Sequence, residues 1–514
     1  MKRFAALLLA LLMIVSGATL FSCATPEDDT TPPDDSTQNE PEPTPSEEEQ
    51  EDPRLPLELP SATFDGAQMH FLSYTAEGQM KPGEITRGSS WIPWEEIDLD
   101  DYAGGALEAA VYDRNATVEE IYNVVITNEY VGVDQGYSTA LRSNHTSGDD
   151  RYQVITLRSY EIKALVLEGL MSNMFSFSNL HTDMPWWNQD SVSAFTLGSS
   201  LFFAAPEMLL RDKAATACVY YNGKVATDNG ISNLYELVES GDWTFEEFIS
   251  IAEDVATSLD GDDLMNSHED LWGSTSGVAQ PYLIYGGAGM KYAHTDEDGY
   301  LVYDFGDDDS ILYLQEVYDR YIFNDAMPLN ESPTTFSPPA DFNIFKSDLS
   351  LFEPGLVKGL LNYRDMESDF GVLPTPKLDE YQENYYSLVW IHQDCVLGIP
   401  SVVGNSEMVT IVLEHMNYLS YYDVYPLFYN TIILGRSPRD EQSRKMLELV
   451  FATRFYDPGL FWDHGQGESG LHANSGFRGI PNTGKNNVAS IFATYKNAID
   501  YNIKQLNNFI DDME

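Results

Sequence analysis

Strand-like and helix-like segments alternate along most of this chain, and that alternation restricts the fold more than any other feature. Residues 69–74, 124–127 and 152–157 have the short apolar pattern of strands, and residues 104–122 carry apolar side chains at helical spacing. Parallel strands need a crossover connection of a dozen or more residues, which a helix supplies. The sequence therefore predicts an α/β protein with largely parallel sheets.

The same pattern continues in the second half of the chain. Apolar residues recur at helical spacing over 245–259, and Thr244 with Glu247 predicts a capping box at the start of that helix. Another amphipathic helix is predicted over 492–510. Asp298-Gly299 lies between two short strand-like segments and predicts a tight hairpin turn, because such a pair accepts the positive φ angles that the turn requires.

Length and charge limit the architecture and the partners. The chain has 514 residues, whereas single hydrophobic cores stop growing beyond about 250 to 300 residues, so we expect two lobes. Its 82 Asp and Glu residues outnumber 28 Lys and Arg residues and give a formal net charge of −54. This charge repels nucleic-acid phosphates and anionic lipid headgroups, so we expect no nucleic-acid partner.

The first residues have the pattern of an export signal. Lys2 and Arg3 precede an apolar run over 4–15, which is shorter than the roughly 20 residues that a membrane-spanning helix needs. The signal peptide is predicted over 1–22. A segment rich in Pro, Thr, Asp and Glu, 23–60, follows it and has the composition of an extended tether.

The signal ends at a cysteine that predicts a lipid anchor. Leu20-Phe21-Ser22-Cys23 resembles a bacterial lipobox, although Phe21 is larger than the residue usual at that position. Acyl chains on Cys23 would hold the protein at the outer face of the cytoplasmic membrane, because each buried CH₂ contributes about 0.8 kcal/mol. The sequence does not distinguish a cell surface from a periplasm. The alternative is an exported soluble protein in which this cysteine is incidental.

No catalytic signature is present in the sequence. It contains no His-Glu-x-x-His zinc motif, no Cys-x-x-Cys pair and no phosphate-binding loop. Residues 273–277 have Thr275 where a nucleophile elbow needs its serine. The other two cysteines, Cys218 and Cys395, lie in apolar strand-like runs, and their pairing cannot be inferred from sequence. We therefore expect a protein that is not an enzyme and has no metal or cofactor.

Aromatic residues make up 12% of the chain and suggest carbohydrate as a ligand class. The apolar face of a sugar ring stacks on Trp or Tyr, whereas its hydroxyls need directional donors and acceptors. Trp186-Trp187 is the most conspicuous pair. If this segment is extended, its adjacent side chains point to opposite faces, so one of the two rings would be available for stacking.

Four segments resemble the bacterial extracellular solute-binding proteins of the sugar type, which serve ABC importers. These segments are Asp183-Met184-Pro185-Trp186-Trp187-Asn188, Gly241-Asp242-Trp243-Thr244-Phe245-Glu246-Glu247-Phe248, the region from Gly286-Gly287-Ala288-Gly289 to Asp298-Gly299, and Gly371-Val372-Leu373-Pro374-Thr375-Pro376-Lys377 with its continuation to Tyr385. They span most of the chain after the tether, in the order and approximate spacing of that family.

The resemblance implies a two-lobed periplasmic-binding-protein-like fold of the class II type, with a hinge and a ligand cleft between the lobes. Lobe 1 is expected to comprise 61–182 and about 391–435, and lobe 2 to comprise 183–390 and about 436–514. The implied protein is a monomer that closes on its solute and delivers it to the membrane subunits of an ABC permease.

The resemblance also implies the residues that line the cleft. Aromatic side chains would stack on the solute, and the charged side chains would hydrogen-bond its hydroxyls. The expected set is Tyr74, Glu77, Arg158, Ser159, Trp187, Trp272, Tyr285, Glu353 and Trp390. Structural roles compete with these assignments, since Arg158 would also suit a surface ion pair, Trp272 a position in a sheet and Glu353 a solvated position.

Two other functions remain open from sequence. A surface glycan-degrading lipoprotein would need two carboxylates about 5 to 9.5 Å apart in a cleft. A binding protein for a peptide or another small solute would instead present a fixed charge and few stacked rings.

Overall fold

The computed structural model describes residues 54–75, 97, 105–132, 136–261, 265, 269–327, 343–363, 365–433, 441–462 and 471–513. The signal peptide, Cys23, most of the tether and Glu77 lie outside these ranges. Leu55–Glu514 is one compact unit, and the features below belong to it.

Strands and helices alternate as predicted. The strands are β1 Ala67–Thr75, β2 Val124–Gly132, β3 Val154–Leu157, β4 Thr196–Leu197, β5 Ser200–Leu201, β6 Ala217–Asn222, β7 Trp272–Ser274, β8 Ala293–Thr295, β9 Leu301–Tyr303, β10 Ser350–Leu356, β11 Phe370–Leu373, β12 Ser387–Leu388, β13 Val396–Gly398 and β14 Arg454–Phe455. The helices are α1 Ala106–Tyr122, α2 Gly136–Ser147, α3 Ile162–Leu167, α4 Gln189–Phe195, α5 Arg211–Ala214, α6 Gly223–Asp228, α7 Leu234–Ser240, α8 Phe245–Val255, α9 Gln280–Gly287, α10 Asp308–Val317, α11 Gly359–Asn362, α12 Ser406–Leu419, α13 Tyr425–Leu427, α14 Glu441–Ala452, α15 Pro458–Trp462, α16 Ile480–Thr483 and α17 Val488–Met513.

Local sequence signals explain several of these boundaries. The Thr244 side chain accepts a hydrogen bond from the backbone N–H of Glu247, which is one half of the predicted capping box, and α8 buries its apolar face. The Thr244 N–H donates to the Asp242 carbonyl instead of to the Glu247 side chain. Gly299 has a φ of 81° in the turn of the β8–β9 hairpin, where a left-handed conformation is needed. The predicted C-terminal helix is α17, and its apolar stripe packs into the main core.

Sheet 1 has the strand order β2-β1-β3-β13. Its first three strands are parallel, and β13 runs antiparallel to β3, with Val396 opposite Leu157. The carboxyl end of β3 therefore lies beside the amino end of β13. Ala204 pairs with Leu397 on the other side of β13.

Sheet 2 has the strand order β11-β6-β10-β7. Here β7 and β10 are parallel, and β6 runs antiparallel to both β10 and β11. Leu356, at the end of β10, lies opposite Ala217, at the start of β6. Each sheet thus contains one reversed strand that begins where a neighbouring parallel strand ends.

Three chain segments run side by side between the two sheets, and we call 204–217, 387–396 and 453–457 the first, second and third crossing segments. Thr216 pairs with Val389, and the Trp390 N–H donates to the Ala215 carbonyl. The Val389 N–H donates to the Phe455 carbonyl in the third segment. At the start of the first crossing segment, Ala204 pairs with Leu397 of sheet 1.

The remaining sequence expectations concern cysteines and membrane spans. Cys218 and Cys395 are both buried free thiols. Within the described ranges, no helix has the length and apolar character that crossing a bilayer requires.

Candidate functional site

Two polar groups meet where β3 ends and β13 begins. Arg158 and Ser159 directly follow β3, and Asp394 lies two residues before β13. The Ser159 N–H donates to Oδ1 of Asp394 over 3.1 Å, and both residues are fully buried. Nη2 of Arg158 lies 3.4 Å from Oε1 of Glu161. Sequence reasoning identified Arg158 and Ser159 and missed Asp394.

The environment of Asp394 favours the neutral form of its carboxyl group. Burial raises the pKa of Asp394 to about 8, and hydrogen bonding from Ser159 opposes this rise. Asp212 adds to the rise, whereas Arg158 opposes it. A neutral carboxyl group donates one hydrogen bond and accepts others, so it can bind a hydroxyl group without placing a net charge beside it.

A lysine from sheet 2 reaches the second crossing segment. Lys358 follows β10, and its Nζ donates to Oε1 of Gln393 over 2.6 Å. Its backbone N–H donates to the Ala214 carbonyl in the first crossing segment. Burial lowers the pKa of Lys358 to about 8, because the ammonium group is withdrawn from water. Lys358 therefore places an ammonium donor where the two sheets meet.

An aromatic wall lies beside these polar groups. The Trp390 ring contacts the rings of Tyr282 and His392, with centroids 5.1 and 5.0 Å apart. Tyr282 continues the wall to Tyr292 at 5.9 Å, and Tyr292 contacts Tyr285 at 5.0 Å. Tyr285 is thus joined to Trp390 through two intervening rings and is itself buried.

Glu353 lies in the middle of β10, opposite Tyr220 of β6. Its Oε1 accepts a hydrogen bond of 2.5 Å from the Tyr363 hydroxyl. Burial raises the pKa of Glu353 to about 7, against the effect of that hydrogen bond. Gln280 of α9 donates to the carbonyl of the next residue, Pro354, over 3.2 Å. Glu353 is therefore partly buried and has a hydrogen-bond partner in Tyr363.

Trp272 lies far along sheet 2 from the crossing segments. It opens β7 opposite Ser350, which is six residues before the end of β10 at Leu356. At about 3.3 Å per residue, this separation is roughly 20 Å. The ring packs with Ile344 in a small separate cluster. Trp272 therefore packs within sheet 2, at a distance from the crossing segments.

Trp187 is also placed differently from the expectation. Both indole groups of the Trp pair donate to the same buried carboxylate, Trp186 to Oε1 of Glu414 at 2.6 Å and Trp187 to Oε2 at 2.9 Å. Both rings are fully buried. The segment therefore does not direct its two side chains to opposite faces, and Trp187 belongs to the core instead of a stacking surface.

Of the two remaining predicted residues, Tyr74 lies near the end of β1. The backbone of Tyr74 pairs with Val131 of β2. Glu77 lies outside the described residues.

Sequence reasoning missed four residues at this site, namely Lys358, Gln393, Asp394 and Tyr282. Asp394 carried a usable signal, because an acid at the start of the apolar run 394–399 needs a partner when buried. The described residues hold no cluster of His, Cys, Asp and Glu that suits a metal ion.

Three solved structures match this chain over nearly their whole length. UspC from M. tuberculosis has a TM-score of 0.53 at 14% identity, covering 84% of this chain and 100% of that one. A sugar transporter from Rhizobium etli in an open conformation has a TM-score of 0.52 at 13% identity, covering 87% and 99%. A structure described as a de novo designed esterase has a TM-score of 0.53 at 12% identity, covering 86% and 99%.

No family profile and no curated protein sequence matches the chain. The structural matches show the fold, and the two sheets with reversed strands and crossing segments agree with them. The chain has the two-lobed, periplasmic-binding-protein-like α/β fold that its resemblance to sugar-type solute-binding proteins predicted.

Proposed function

We propose that this chain is an extracellular solute-binding lipoprotein that captures a carbohydrate or oligosaccharide between its lobes and delivers it to an ABC importer. One observation carries the proposal, namely that the strand ends of both sheets meet at the crossing segments. Ser159 and Asp394 come from sheet 1, and Lys358 comes from sheet 2. A solute held there contacts both lobes and favours the closed state by its differential affinity.

The chemistry of these groups suits a neutral polyol. Burial favours the neutral form of Asp394, and Lys358 and Gln393 add donors and an acceptor that match sugar hydroxyls. Trp390 and Tyr282 contact each other and are only 4% and 1% exposed, so they would meet the apolar face of a sugar ring once the lobes part. One structure with this fold is named as a sugar transporter. Arg158, Glu353, Tyr285, Tyr74 and Glu77 are kept as proposed contacts.

The site of action follows from the amino-terminal sequence. Signal peptide 1–22, acylated Cys23 and tether 23–60 would place a monomeric binding unit at the outer face of the cytoplasmic membrane, within reach of the permease.

Thermal unfolding of the full chain tests the proposal against panels of mono- and oligosaccharides, amino acids and short peptides. A ligand that binds only the native state adds about 2.7 kcal/mol at 100 times its Kd, which raises the unfolding midpoint measurably. We expect a selective rise with one class of sugar, and chromatography should recover that sugar unchanged. A rise only with peptides would reject the carbohydrate, and product formation would reject a binding protein in favour of a hydrolase.

A further inference from the structure

A buried network of charged and hydroxyl groups joins the first crossing segment to the third. Glu207, Asp212 and Lys213 come from the first segment, and Arg454 and Tyr456 come from the third. None of the five residues is more than 9% exposed, and Asp212 and Lys213 are fully buried. None of them is among the proposed solute contacts, so the network needs a separate explanation.

Asp212 is the centre of this network. Its Oδ1 lies 3.0 Å from Nζ of Lys213, which also lies 3.1 Å from Oε2 of Glu207. Its Oδ2 lies 3.3 Å from Nη1 of Arg454 and accepts a 3.0 Å hydrogen bond from the Tyr456 hydroxyl. Oδ1 of Asp212 therefore contacts Lys213 within the first crossing segment, and Oδ2 contacts Arg454 and Tyr456 of the third.

Burial makes these contacts difficult to exchange. Two carboxylates face two cations, so the network is balanced in charge while it is intact. An ion that loses its partner in a water-free interior is strongly destabilised, and water cannot replace that partner without entering. Relative movement of the two segments must therefore preserve the contacts of Asp212 or break them as a set.

We propose that the contacts of Asp212 with Arg454 and Tyr456 position the crossing segments and thereby set the balance between open and closed lobes before solute binds. These residues act as positioning residues, because they hold the hinge without touching the solute. The inference rests on the proposed function in one respect, since it assumes that the lobes move. It assigns to the hinge a control over affinity that is separate from the residues of the cleft.

The test measures a distance between the lobes in the full chain without solute. One spin label is attached at Ser143→Cys on α2, which packs on sheet 1. The other is attached at Asp309→Cys on α10, which packs against α8 and α9. With Cys23→Ser, the two buried residues Cys218 and Cys395 are the remaining native cysteines. Double electron–electron resonance then gives the distribution of label distances.

Two variants break the link between the segments, and one serves as a matched control. Tyr456→Phe removes only the hydroxyl that donates to Asp212, and Arg454→Met removes the ion pair. Tyr321→Phe removes an equally buried hydroxyl, which donates to the Thr275 carbonyl over 2.7 Å within the sheet 2 half. If Arg454→Met does not fold, the comparison between the two Tyr→Phe variants decides.

We expect Tyr456→Phe and Arg454→Met to change the relative populations of the label distances, whereas Tyr321→Phe leaves them as in the unsubstituted chain. The affinity for a carbohydrate probe such as maltotriose should change by the factor by which the competent population changes. Distance distributions identical in all four proteins, even with lowered melting temperatures, would overturn the inference. If the label distances change but none of the four proteins binds carbohydrate, the inference about the hinge is retained and the proposed carbohydrate solute is rejected.

Discussion

The backbone N–H of Ser159 donates to Oδ1 of Asp394 over 3.1 Å, although 235 residues separate the two in sequence. The bond joins the end of β3 to the segment that enters β13. It also holds the carboxyl group of Asp394 in the interior, where burial raises its pKa to about 8. A position at the strand ends of sheet 1 thus acquires a neutral group able to bind hydroxyls.

The titration of Asp394 predicts a pH dependence of stability. Between about pH 4 and 8 the folded protein retains a proton on Asp394 that the unfolded chain has released. The contribution of this group to the free energy of unfolding is therefore complete below pH 4 and is lost as the pH rises towards 8. Asp394→Asn should remove this slope, which urea unfolding at pH 5 and 8 would measure.

Burial also raises the pKa of Glu353 and of Asp457 to about 7. Both residues are present in the two proteins, so their contributions to the pH dependence of stability cancel in the comparison. Parallel pH curves for the unsubstituted chain and Asp394→Asn would show that Asp394 does not titrate as described.

Lys358 should contribute to affinity more than to folding. Lys358→Met removes an ammonium donor at the meeting of the sheets, and a hydrogen bond from a charged group contributes about 1.5 kcal/mol or more. We expect solute affinity to fall roughly tenfold in calorimetric titration. Lys346→Met is the control, because Lys346 pairs with the exposed Asp365. Equal solute affinities of the Lys358→Met and Lys346→Met variants would show that Lys358 does not bind the solute.

The buried Trp pair should affect stability without affecting affinity. Trp187→Phe leaves one oxygen of the enclosed Glu414 carboxylate without its indole donor, which costs about 1 to 3 kcal/mol. Guanidinium unfolding should show this loss, and the solute Kd at a temperature well below the midpoint should be unchanged. A higher solute Kd in a fully folded Trp187→Phe protein would support the stacking role predicted from sequence.

Two buried tyrosines of the main core, Tyr318 and Tyr292, should respond differently to loss of their hydroxyls. Tyr318 donates to the Phe477 carbonyl over 2.8 Å, so Tyr318→Phe should lower the free energy of unfolding by about 1 kcal/mol. The Tyr292 hydroxyl is buried and has no hydrogen-bond partner in the described part of the chain. Tyr292→Phe should therefore be neutral or stabilising by thermal unfolding, and a loss equal to that of Tyr318→Phe would be inconsistent with this difference.

The fold was largely predictable because its signals are local. The helical spacing and cap of α8, the hairpin turn at Gly299 and the long stripe of α17 depend on residues close in sequence. The position of the first crossing is harder to predict, because the pairing of Ala204 with Leu397 is a contact between distant segments and no local periodicity reports it.

The site was less predictable because its residues acquire their roles from distant partners. Arg158 and Ser159 could be placed from the end of a predicted strand. Asp394, Lys358 and Gln393 depend on the meeting of two sheets, and the hydrogen-bond partner of Trp187, Glu414, lies 227 residues away. Sequence showed that Trp186-Trp187 was unusual, but not which carboxylate it faces.

The central claim is that solute binds where the strand ends of both sheets meet, and one titration tests it most directly. Calorimetry would compare the full chain with Arg158→Met and Trp390→Phe, using the sugar that gives the largest thermal shift. Arg142→Met is the control, since Arg142 pairs with Glu168 on the surface. The account predicts one site per chain, weakened by both site variants and unchanged in the control. Binding of equal strength in all four proteins would contradict it.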